Sequence, residues 1–176
     1  LGDREKVLFG PGYIEDVLCK KRFRISSRSF YQVNSLQTEK LYNIALDYAG
    51  FSGKERILDA YCGIGTIGII ASDRCKEVLS VELNAEAVKD AKINAKLNGA
   101  DNVEVYKNDA GRFMKDMAAK KEKLDVLFMD PPRSGASEEF LSAALELGPA
   151  KIVYISCEPT TLARDLAILT EGGYEM

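Results

Sequence analysis

A predicted strand, a glycine-rich turn and a predicted helix follow one another between Arg56 and Gly68, in the sequence RILDAYCGIGTIG. Glycines let a ligand approach the backbone closely, and a helix N-terminus offers N–H groups that lack an intrahelical partner. Gly63, Gly65 and Gly68 also spell the G-x-G-x-x-G pattern of dinucleotide-binding turns. Glu82 ends the next strand, where an acid accepts hydrogen bonds from a ribose diol. The stretch therefore predicts a nucleotide-like ligand, and both NAD and S-adenosylmethionine carry such a diol.

A second candidate site is the sequence Met129-Asp130-Pro131-Pro132-Arg133. The two prolines fix the backbone just after a strand, and we expect Asp130 to be aimed into the crevice. A similar Asp-Pro-Pro-aromatic arrangement serves enzymes that methylate exocyclic amines. Arg133 stands where that arrangement has its aromatic residue, which argues against amine methylation.

Cys157 follows a third strand, in the sequence ISCEPTT, beside a predicted helix N-terminus. The partial positive charge there lowers the pKa of a thiol and favours the nucleophilic thiolate. We expect Cys62 to pack under the cofactor, and Cys19 and Cys75 to be structural. The four cysteines contain no C-x-x-C pair, so they predict neither a disulfide framework nor a zinc site.

Two features allow two interpretations each. Asp109, after another strand, either accepts a hydrogen bond from an adenine amino group or caps the following helix. The run KKRFRISSR is either a solvated hairpin or a surface that faces phosphates. Its cationic residues are Lys20, Lys21, Arg22, Arg24 and Arg28.

Strands and helices alternate over most of the chain. We predict strands over 56–60, 78–82, 103–107, 125–129 and 151–156, followed respectively by helices over 66–74, 85–98, 110–119, 137–147 and 160–170. Such repeated units are typical of a parallel sheet with helices on both faces. Ligands bind beyond the carboxyl ends of such strands, where the candidate residues lie.

The first part of the chain is predicted to differ from this pattern. A small β element is expected over 7–26, with a charged turn over 20–22. A helix is predicted over 35–49, between the N-cap Asn34 and Gly50. Its apolar residues at helical spacing are Leu36, Leu41, Ile44, Ala45 and Tyr48.

Composition narrows the possible functions. The 176 residues suit one globular domain, and no apolar run approaches a membrane span or a signal peptide, which favours the cytoplasm and no membrane partner. The chain contains no histidine, so acid–base chemistry must use other groups. The net charge of −3 does not indicate a nucleic-acid binder by itself. A start without methionine and an end just before an expected strand indicate a fragment of a longer protein.

Four sequences, FYQVN, DAYCGIGTIG, MDPPRSG and ISCEPTTLARD, together resemble the S-adenosylmethionine-dependent RNA uracil-5-methyltransferases. These bacterial enzymes make 5-methyluridine in 23S ribosomal RNA or transfer RNA. The resemblance extends from about Val7 to the end and is greatest to the ribosomal enzymes, so it favours 23S ribosomal RNA as the substrate. It implies a Rossmann-like class I methyltransferase fold with its last strands truncated. Residues 1–28 would be a hairpin remnant of a preceding region, and 29–176 the methyltransferase domain.

The resemblance also implies roles for individual residues. Cys157 matches the nucleophile that adds to C6 of uracil, which makes C5 able to attack the methyl group of S-adenosylmethionine. Asp130 and Arg133 would hold the uracil or polarise its O4. With the glycine turn included, the expected cofactor-binding residues are Gln32, Tyr61, Gly63, Gly65, Thr66, Glu82, Asp109 and Asp130.

Some parts of the family pattern are not in this sequence. The glutamate that removes the C5 proton belongs to a histidine-containing motif beyond the last strands. The family's N-terminal RNA-binding barrel, and the iron–sulfur cluster of many members, would also lie in other parts of the protein. We therefore expect the fragment alone to be nearly or wholly inactive.

Two other functions remain open from the sequence. An NAD-dependent oxidoreductase would use the literal G-x-G-x-x-G, although no catalytic histidine or Tyr-Lys pair accompanies it. A non-catalytic module would bind RNA or a protein through the basic hairpin over 20–28. Tighter binding of NAD than of S-adenosylhomocysteine would favour the first, and salt-sensitive RNA binding without cofactor would favour the second.

Overall fold

The computed structural model describes residues 6–176. Residues 1–5, the start of the predicted hairpin remnant over 1–28, lie outside the described part. Within 6–176, no helix is both long enough and apolar enough to cross a membrane.

An antiparallel hairpin precedes the main sheet, with strands β1 (Tyr13–Leu18) and β2 (Lys21–Ser26). The charged turn predicted over 20–22 is wrong in its position, because β2 already begins at Lys21. The turn is the dipeptide Cys19-Lys20, whose φ angles are 50° and 66°. Two successive residues with positive φ make the tight turn that matches the twist of paired strands.

Five parallel strands form the main sheet, within about two residues of the predicted bounds. They are β3 (Arg56–Ala60), β4 (Glu77–Glu82), β5 (Val103–Lys107), β6 (Val126–Met129) and β7 (Lys151–Tyr154). Their order is β5-β4-β3-β6-β7, so the direction in which strands are added reverses between β3 and β6. The carboxyl ends of these two strands flank the crevice where ligands bind in sheets of this kind.

Helices cover both faces of the sheet, as predicted. They are α1 (Ser35–Ala49), α2 (Thr66–Ala71), α3 (Ala85–Leu97), α4 (Ala110–Ala119), α5 (Glu138–Leu147) and α6 (Pro159–Glu171). Alternate strand residues point to opposite faces. Ile57 and Phe128 pack with α1, α2 and α3, whereas Leu58 and Leu127 pack with α4, α5 and α6.

The bounds of α1 agree with the prediction, including the N-cap Asn34 and the left-handed Gly50 that ends it. The apolar residues whose spacing predicted the helix do not mark its buried face. Of the predicted apolar positions, Leu36, Leu41, Ile44 and Tyr48 are exposed. The buried positions are Thr38, Tyr42, Ala45, Leu46 and Ala49. Two apolar stripes share this helix, and the one that contains Tyr42, Leu46 and Ala49 faces the protein.

The hairpin is joined to α3 by a ladder of hydrogen bonds. N–H groups of alternate β2 residues donate to side chains one turn apart on the helix. The pairs are Arg22 with Asn98 Oδ1 at 2.8 Å, Arg24 with Asn94 Oδ1 at 2.7 Å, and Ser26 with Asp90 Oδ2 at 2.9 Å. Strand edges leave such groups unpaired, so the ladder protects this edge and fastens the hairpin to the main fold. The predicted boundary between residues 28 and 29 stays a prediction.

Candidate functional site

The glycine turn leads from β3 directly into α2. Gly65 is the N-cap of α2, and its φ of +85° is a left-handed conformation that glycine adopts at little cost. A Cβ placed on Gly63 would meet no atom within 4 Å, so this part of the turn faces open space. Thr66 begins the helix, and its hydroxyl lies 3.4 Å from the hydroxyl of Tyr42. The turn thus has the open backbone that a ligand requires.

Asp59, the fourth residue of β3, lies beneath this turn. Its side chain is buried at 1% exposure, and Oδ2 accepts a hydrogen bond from the N–H of Gly68 at 2.8 Å. Burial first, and then the charges of Asp130 and Glu82, raise the pKa of Asp59 to about 7. Asp59 therefore holds the first turn of α2 in place from below.

Glu82, at the end of β4, uses both carboxylate oxygens to shape the site. Oε2 accepts from the N–H of Gly63 at 3.0 Å, and Oε1 accepts from the N–H of Asn84 at 2.7 Å. Each carboxylate oxygen has a second lone pair, so Glu82 retains the capacity to accept from a ribose diol. The ribose contact stays a prediction.

Asn94 supports the glycine turn and was not a sequence candidate. Its side chain is fully buried, and its Nδ2 donates to the carbonyl oxygens of Ile64 at 3.1 Å and Arg24 at 3.0 Å. One amide thus joins the turn to the hairpin. The available signal was the spacing of Asp90, Asn94 and Asn98, which puts three polar side chains on one face of α3.

Asp130 follows β6 directly. Because β6 pairs with β3, Asp130 lies beside the glycine turn that follows β3. It is half-buried, and the loss of solvation raises its pKa to about 6. Tyr61 follows β3 with an unusual φ of +62°, and its ring packs against Phe140 with centroids 5.1 Å apart. The strand pairing therefore brings Tyr61 and Asp130 to the same edge of the sheet.

Two further predicted residues have defined places. Asp109 is the N-cap of α4, because its Oδ1 accepts from the N–H of Arg112 at 3.0 Å. That cap explains the residue without a ligand, and the adenine contact stays a prediction. Gln32 is half-buried in the segment between β2 and α1.

Cys157 is the exposed residue of a tight turn between β7 and α6. The hydroxyl of Ser156 accepts from the N–H of Glu158 at 3.1 Å, and the carboxylate of Glu158 caps α6 by accepting from the N–H of Thr160. The thiol thus lies directly before the N-cap of α6, as predicted. The other three cysteines are Cys62 and Cys75, both buried, and the half-buried Cys19.

The cysteine turn and the glycine turn lie at the same edge of the sheet. Strands β3, β6 and β7 are parallel neighbours in that order, and the N–H of Ile155 donates to the carbonyl oxygen of Met129 at 2.9 Å. Neighbouring strands are about 4.8 Å apart, so the ends of β3 and β7 are separated by roughly 10 Å. Arg133 therefore follows β6, the neighbour of β3, and Cys157 follows β7, the next strand along.

A cavity of about 670 Å³ lies elsewhere, along the open side of β7. Its lining includes Tyr48, Ile152 and Tyr174, and none of the predicted site residues. The candidate residues instead lie along the carboxyl ends of the strands.

A family model covers nearly the whole chain. A sequence model of the tRNA (Uracil-5-)-methyltransferase family matches residues 2–173. An uncharacterized RNA methyltransferase of Halalkalibacterium halodurans is 48% identical over 174 residues, and one of Clostridium acetobutylicum is 48% identical over 176 residues. These matches cover 99% and 100% of this chain, but 38% of each relative. The chain thus spans little more than a third of the length of these relatives.

Solved structures share the fold. The tRNA (uracil-54, C5)-methyltransferase of Pyrococcus abyssi, solved with S-adenosyl-L-homocysteine, is 30% identical with a TM-score of 0.73, covering 91% of this chain and 38% of that one. A precorrin-6y C5,15-methyltransferase of Geobacter metallireducens has a TM-score of 0.68 at 18% identity, covering 87% of this chain and 77% of that one, and shows the fold alone. The described architecture is therefore the Rossmann-like class I methyltransferase fold. By the family match over nearly its whole length, the chain belongs to the tRNA (Uracil-5-)-methyltransferase family.

Proposed function

We propose that this chain is the catalytic core of a longer enzyme that methylates C5 of a uridine in RNA. The observation that carries the proposal is the position of Cys157, an exposed thiol at the same sheet edge as the glycine turn, with Asp130 directly after the strand between them. A nucleophile and a cofactor turn that flank one crevice suit a reaction in which the substrate base lies between them.

The residues at the glycine turn fit S-adenosylmethionine. Gly63 offers open space at the backbone, Glu82 offers carboxylate lone pairs for a ribose diol, and Asp130 offers a carboxyl group beside the turn. The proposed cofactor-binding set is Gln32, Tyr61, Gly63, Gly65, Thr66, Glu82, Asp109 and Asp130. When bound, S-adenosylmethionine would supply an electrophilic methyl group to C5 of the activated uracil. S-adenosylhomocysteine would be the product that leaves.

Cys157 supplies the activation. C5 of uracil is a weak nucleophile, and addition of the Cys157 thiolate to C6 moves the C5=C6 electron pair onto C5 and O4 as an enolate. After methylation, removal of the C5 proton by a base returns the electron pair to C5=C6 and expels the thiolate. We propose that this base comes from another part of the longer protein, as the family resemblance implies.

Asp130 and Arg133 are proposed to hold the uracil. Arg133 is exposed in the segment after β6, and its guanidinium would stabilise the negative charge that develops on O4. Asp130, half-buried after β6, offers a carboxyl group to the polar edge of the base or to the cofactor.

We propose 23S ribosomal RNA as the first substrate to test, and the cytoplasm as the site of action. The ribosomal assignment rests on the motif resemblance, while the Pyrococcus abyssi relative is named as a tRNA enzyme, so transfer RNA is the second candidate. The fragment alone is proposed to have little or no activity.

Release of tritium from C5 tests the reaction. The full-length protein, S-adenosylmethionine and 23S ribosomal RNA carrying 5-tritiated uridine should release tritium to water, whereas Cys157→Ala should release none. Transfer RNA labelled in the same way forms the second arm. Tritium release that persists in Cys157→Ala, or tighter binding of NAD than of S-adenosylhomocysteine, would overturn the proposal.

A further inference from the structure

The segment after Asp130 is fastened to α6 by its backbone. The hydroxyl of Thr161 donates to the carbonyl oxygen of Arg133 at 3.1 Å, shared with that of Glu158 at 3.2 Å. One turn further along α6, Nη2 of Arg164 donates to the carbonyl oxygens of Ser134 at 3.1 Å and Ala136 at 3.0 Å. The helix that begins just after Cys157 therefore also holds the segment that carries Arg133.

Asp165 joins three elements at one carboxylate. It is fully buried, and its Oδ2 accepts from the N–H of Ala136 at 2.7 Å and from the hydroxyl of Tyr154 at 2.7 Å. Its Oδ1 accepts from Nε and Nη2 of Arg164 at 2.8 and 2.6 Å. Because Tyr154 ends β7, this carboxylate fixes the end of that strand, the segment after β6 and the first turns of α6 relative to one another.

Gly135 shows how closely these parts fit. A Cβ at this position would lie 2.6 Å from Nη2 of Arg164, 2.7 Å from Oδ2 of Asp165 and 2.9 Å from Cβ of Thr161. Its φ of +75° also disfavours other residues. The segment can therefore reach α6 this closely only with a glycine at position 135.

From this arrangement we infer that Thr161, Tyr154 and Asp165 are positioning residues, which set the distance between Cys157 and the uracil held by Asp130 and Arg133. The inference rests on the proposed function. The nucleophile and the residues that hold the base lie on two different turns, and a misplacement of about 1 Å can slow a reaction by roughly 100-fold. Hydrogen bonds between the two turns remove the relative movement that would cause it.

Thr161 and Tyr154 are the best positions for the test. Replacing Asp165 would leave charged and polar groups without a partner in the interior and would unfold the protein too readily. Thr161→Val removes a hydroxyl at nearly constant volume, and Tyr154→Phe removes one hydrogen bond to Asp165. The full-length protein is mixed with RNA containing 5-fluorouridine and saturating S-adenosylmethionine, and the rate of covalent adduct formation is followed.

We expect Thr161→Val and Tyr154→Phe each to slow adduct formation by about 10-fold, and the double variant by about 100-fold. The dissociation constant for S-adenosylhomocysteine should change by less than about twofold, because none of their hydrogen bonds reaches the glycine turn. Thr161→Ser keeps the hydroxyl and loses only the methyl group, so it should form the adduct at nearly the wild-type rate. A slow Thr161→Ser variant would indicate that the methyl group, rather than the hydrogen bond, matters.

Two matched variants serve as controls. Thr170→Val removes a hydroxyl at the other end of α6, where it bonds only to carbonyl oxygens of its own helix. Tyr174→Phe removes a similar phenol bond, to the carbonyl oxygen of Pro149 at 2.7 Å. Both should form the adduct at the wild-type rate.

The outcomes separate the two proposals. Wild-type protein that forms no adduct overturns the proposed function and the inference together. Wild-type protein that forms the adduct, with Thr161→Val and Tyr154→Phe as fast as their controls, overturns the inference alone. Slower adduct formation accompanied by an equal loss of cofactor affinity would also overturn it, because the bonds would then support the whole site rather than the distance between the turns.

Discussion

The two ends of the proposed site are built differently. At the glycine turn, buried side chains hold the backbone from behind: Asp59 is 1% exposed, and Asn94 is fully buried. At the other end, Cys157 is exposed on a short turn. A small cofactor can be bound by a rigid preformed turn, whereas a nucleophile must remain accessible to a base that arrives as part of a large RNA.

Two cysteines illustrate the contrast. Cys62, in the glycine turn, is buried, and the loss of solvation together with the charges of Asp59 and Glu82 raises the pKa of its thiol well above the ordinary value. A thiol in that state is a poor nucleophile. Cys157 has the exposure that the proposed chemistry requires, and the difference between the two ends of the proposed site leads to four predictions.

Removing the exposed thiol should have the largest effect. Cys157→Ala in the full-length protein should lower the rate of methyl transfer on the order of 10⁴-fold or more, because the covalent route is lost. Cys62→Ala should retain methyl transfer and lower the free energy of unfolding by about 1–2 kcal/mol through a small cavity. If Cys62→Ala abolished methyl transfer and Cys157→Ala lowered only the stability, Cys62 rather than Cys157 would be the nucleophile.

Removing the support of the glycine turn should have the next largest effect. Glu82→Ala leaves the N–H of Gly63 without its partner and removes the proposed ribose acceptor. Bonds to a charged group contribute about 1.5–3 kcal/mol, so affinity for S-adenosylhomocysteine should fall roughly 10- to 100-fold in calorimetry. Glu86→Ala, on the same side of the fold but paired with Lys89 on the surface, is the control and should bind normally. If both variants bound S-adenosylhomocysteine with equal affinity, Glu82 would not be a cofactor-binding residue.

Adding a methyl group behind the glycine turn should lower the free energy of unfolding. In Gly68→Ala the new Cβ would lie 2.7 Å from Oγ of Ser80 and 3.0 Å from Oδ2 of Asp59. Overpacking of this kind lowers the free energy of unfolding by about 1–3 kcal/mol. Adding Ser80→Ala removes the nearest obstacle and should recover part of the loss in denaturant titrations. A Gly68→Ala protein as stable as wild type would show that α2 is not held tightly.

The smallest effect concerns pH. The pKa of Asp59 is raised to about 7 in the folded protein, from 3.8. Its contribution to stability is therefore fully present below about pH 4 and is lost as the pH rises through 7. Asp59→Asn cannot ionise, so its stability relative to wild type should increase between pH 5 and pH 8, on the order of 1 kcal/mol or more. Parallel pH curves for the two proteins would contradict the assignment of that pKa.

Much of the fold was predictable because its signals are local. Each strand of the main sheet is a short apolar run, and caps such as Asn34, Asn84 and Ser137 occupy the predicted helix starts. The resemblance added the function and the site residues. The position of the hairpin turn could not be predicted from local signals, because basic residues occur in strands and turns alike. The buried face of α1 could not be predicted either, because the helix carries two apolar stripes.

The supporting residues could not be predicted from local patterns. Asn94 bonds to Ile64, and Asp165 to Ala136, across 30 and 29 residues of sequence. Their partners are backbone groups, which leave no signature in the amino-acid types. Asp59 was visible as a strand-end acid, but its orientation under Gly68 depends on how α2 packs over β3 and β4.

Peptide mapping of the covalent adduct tests the central claim most directly. The full-length protein is trapped on RNA containing 5-fluorouridine, digested, and analysed by mass spectrometry for the peptide that carries the nucleotide. The account predicts the nucleotide on Cys157, in the sequence ISCEPTT. A nucleotide on Cys62 or on any other residue, or a wild-type protein that traps no RNA at all, would contradict it.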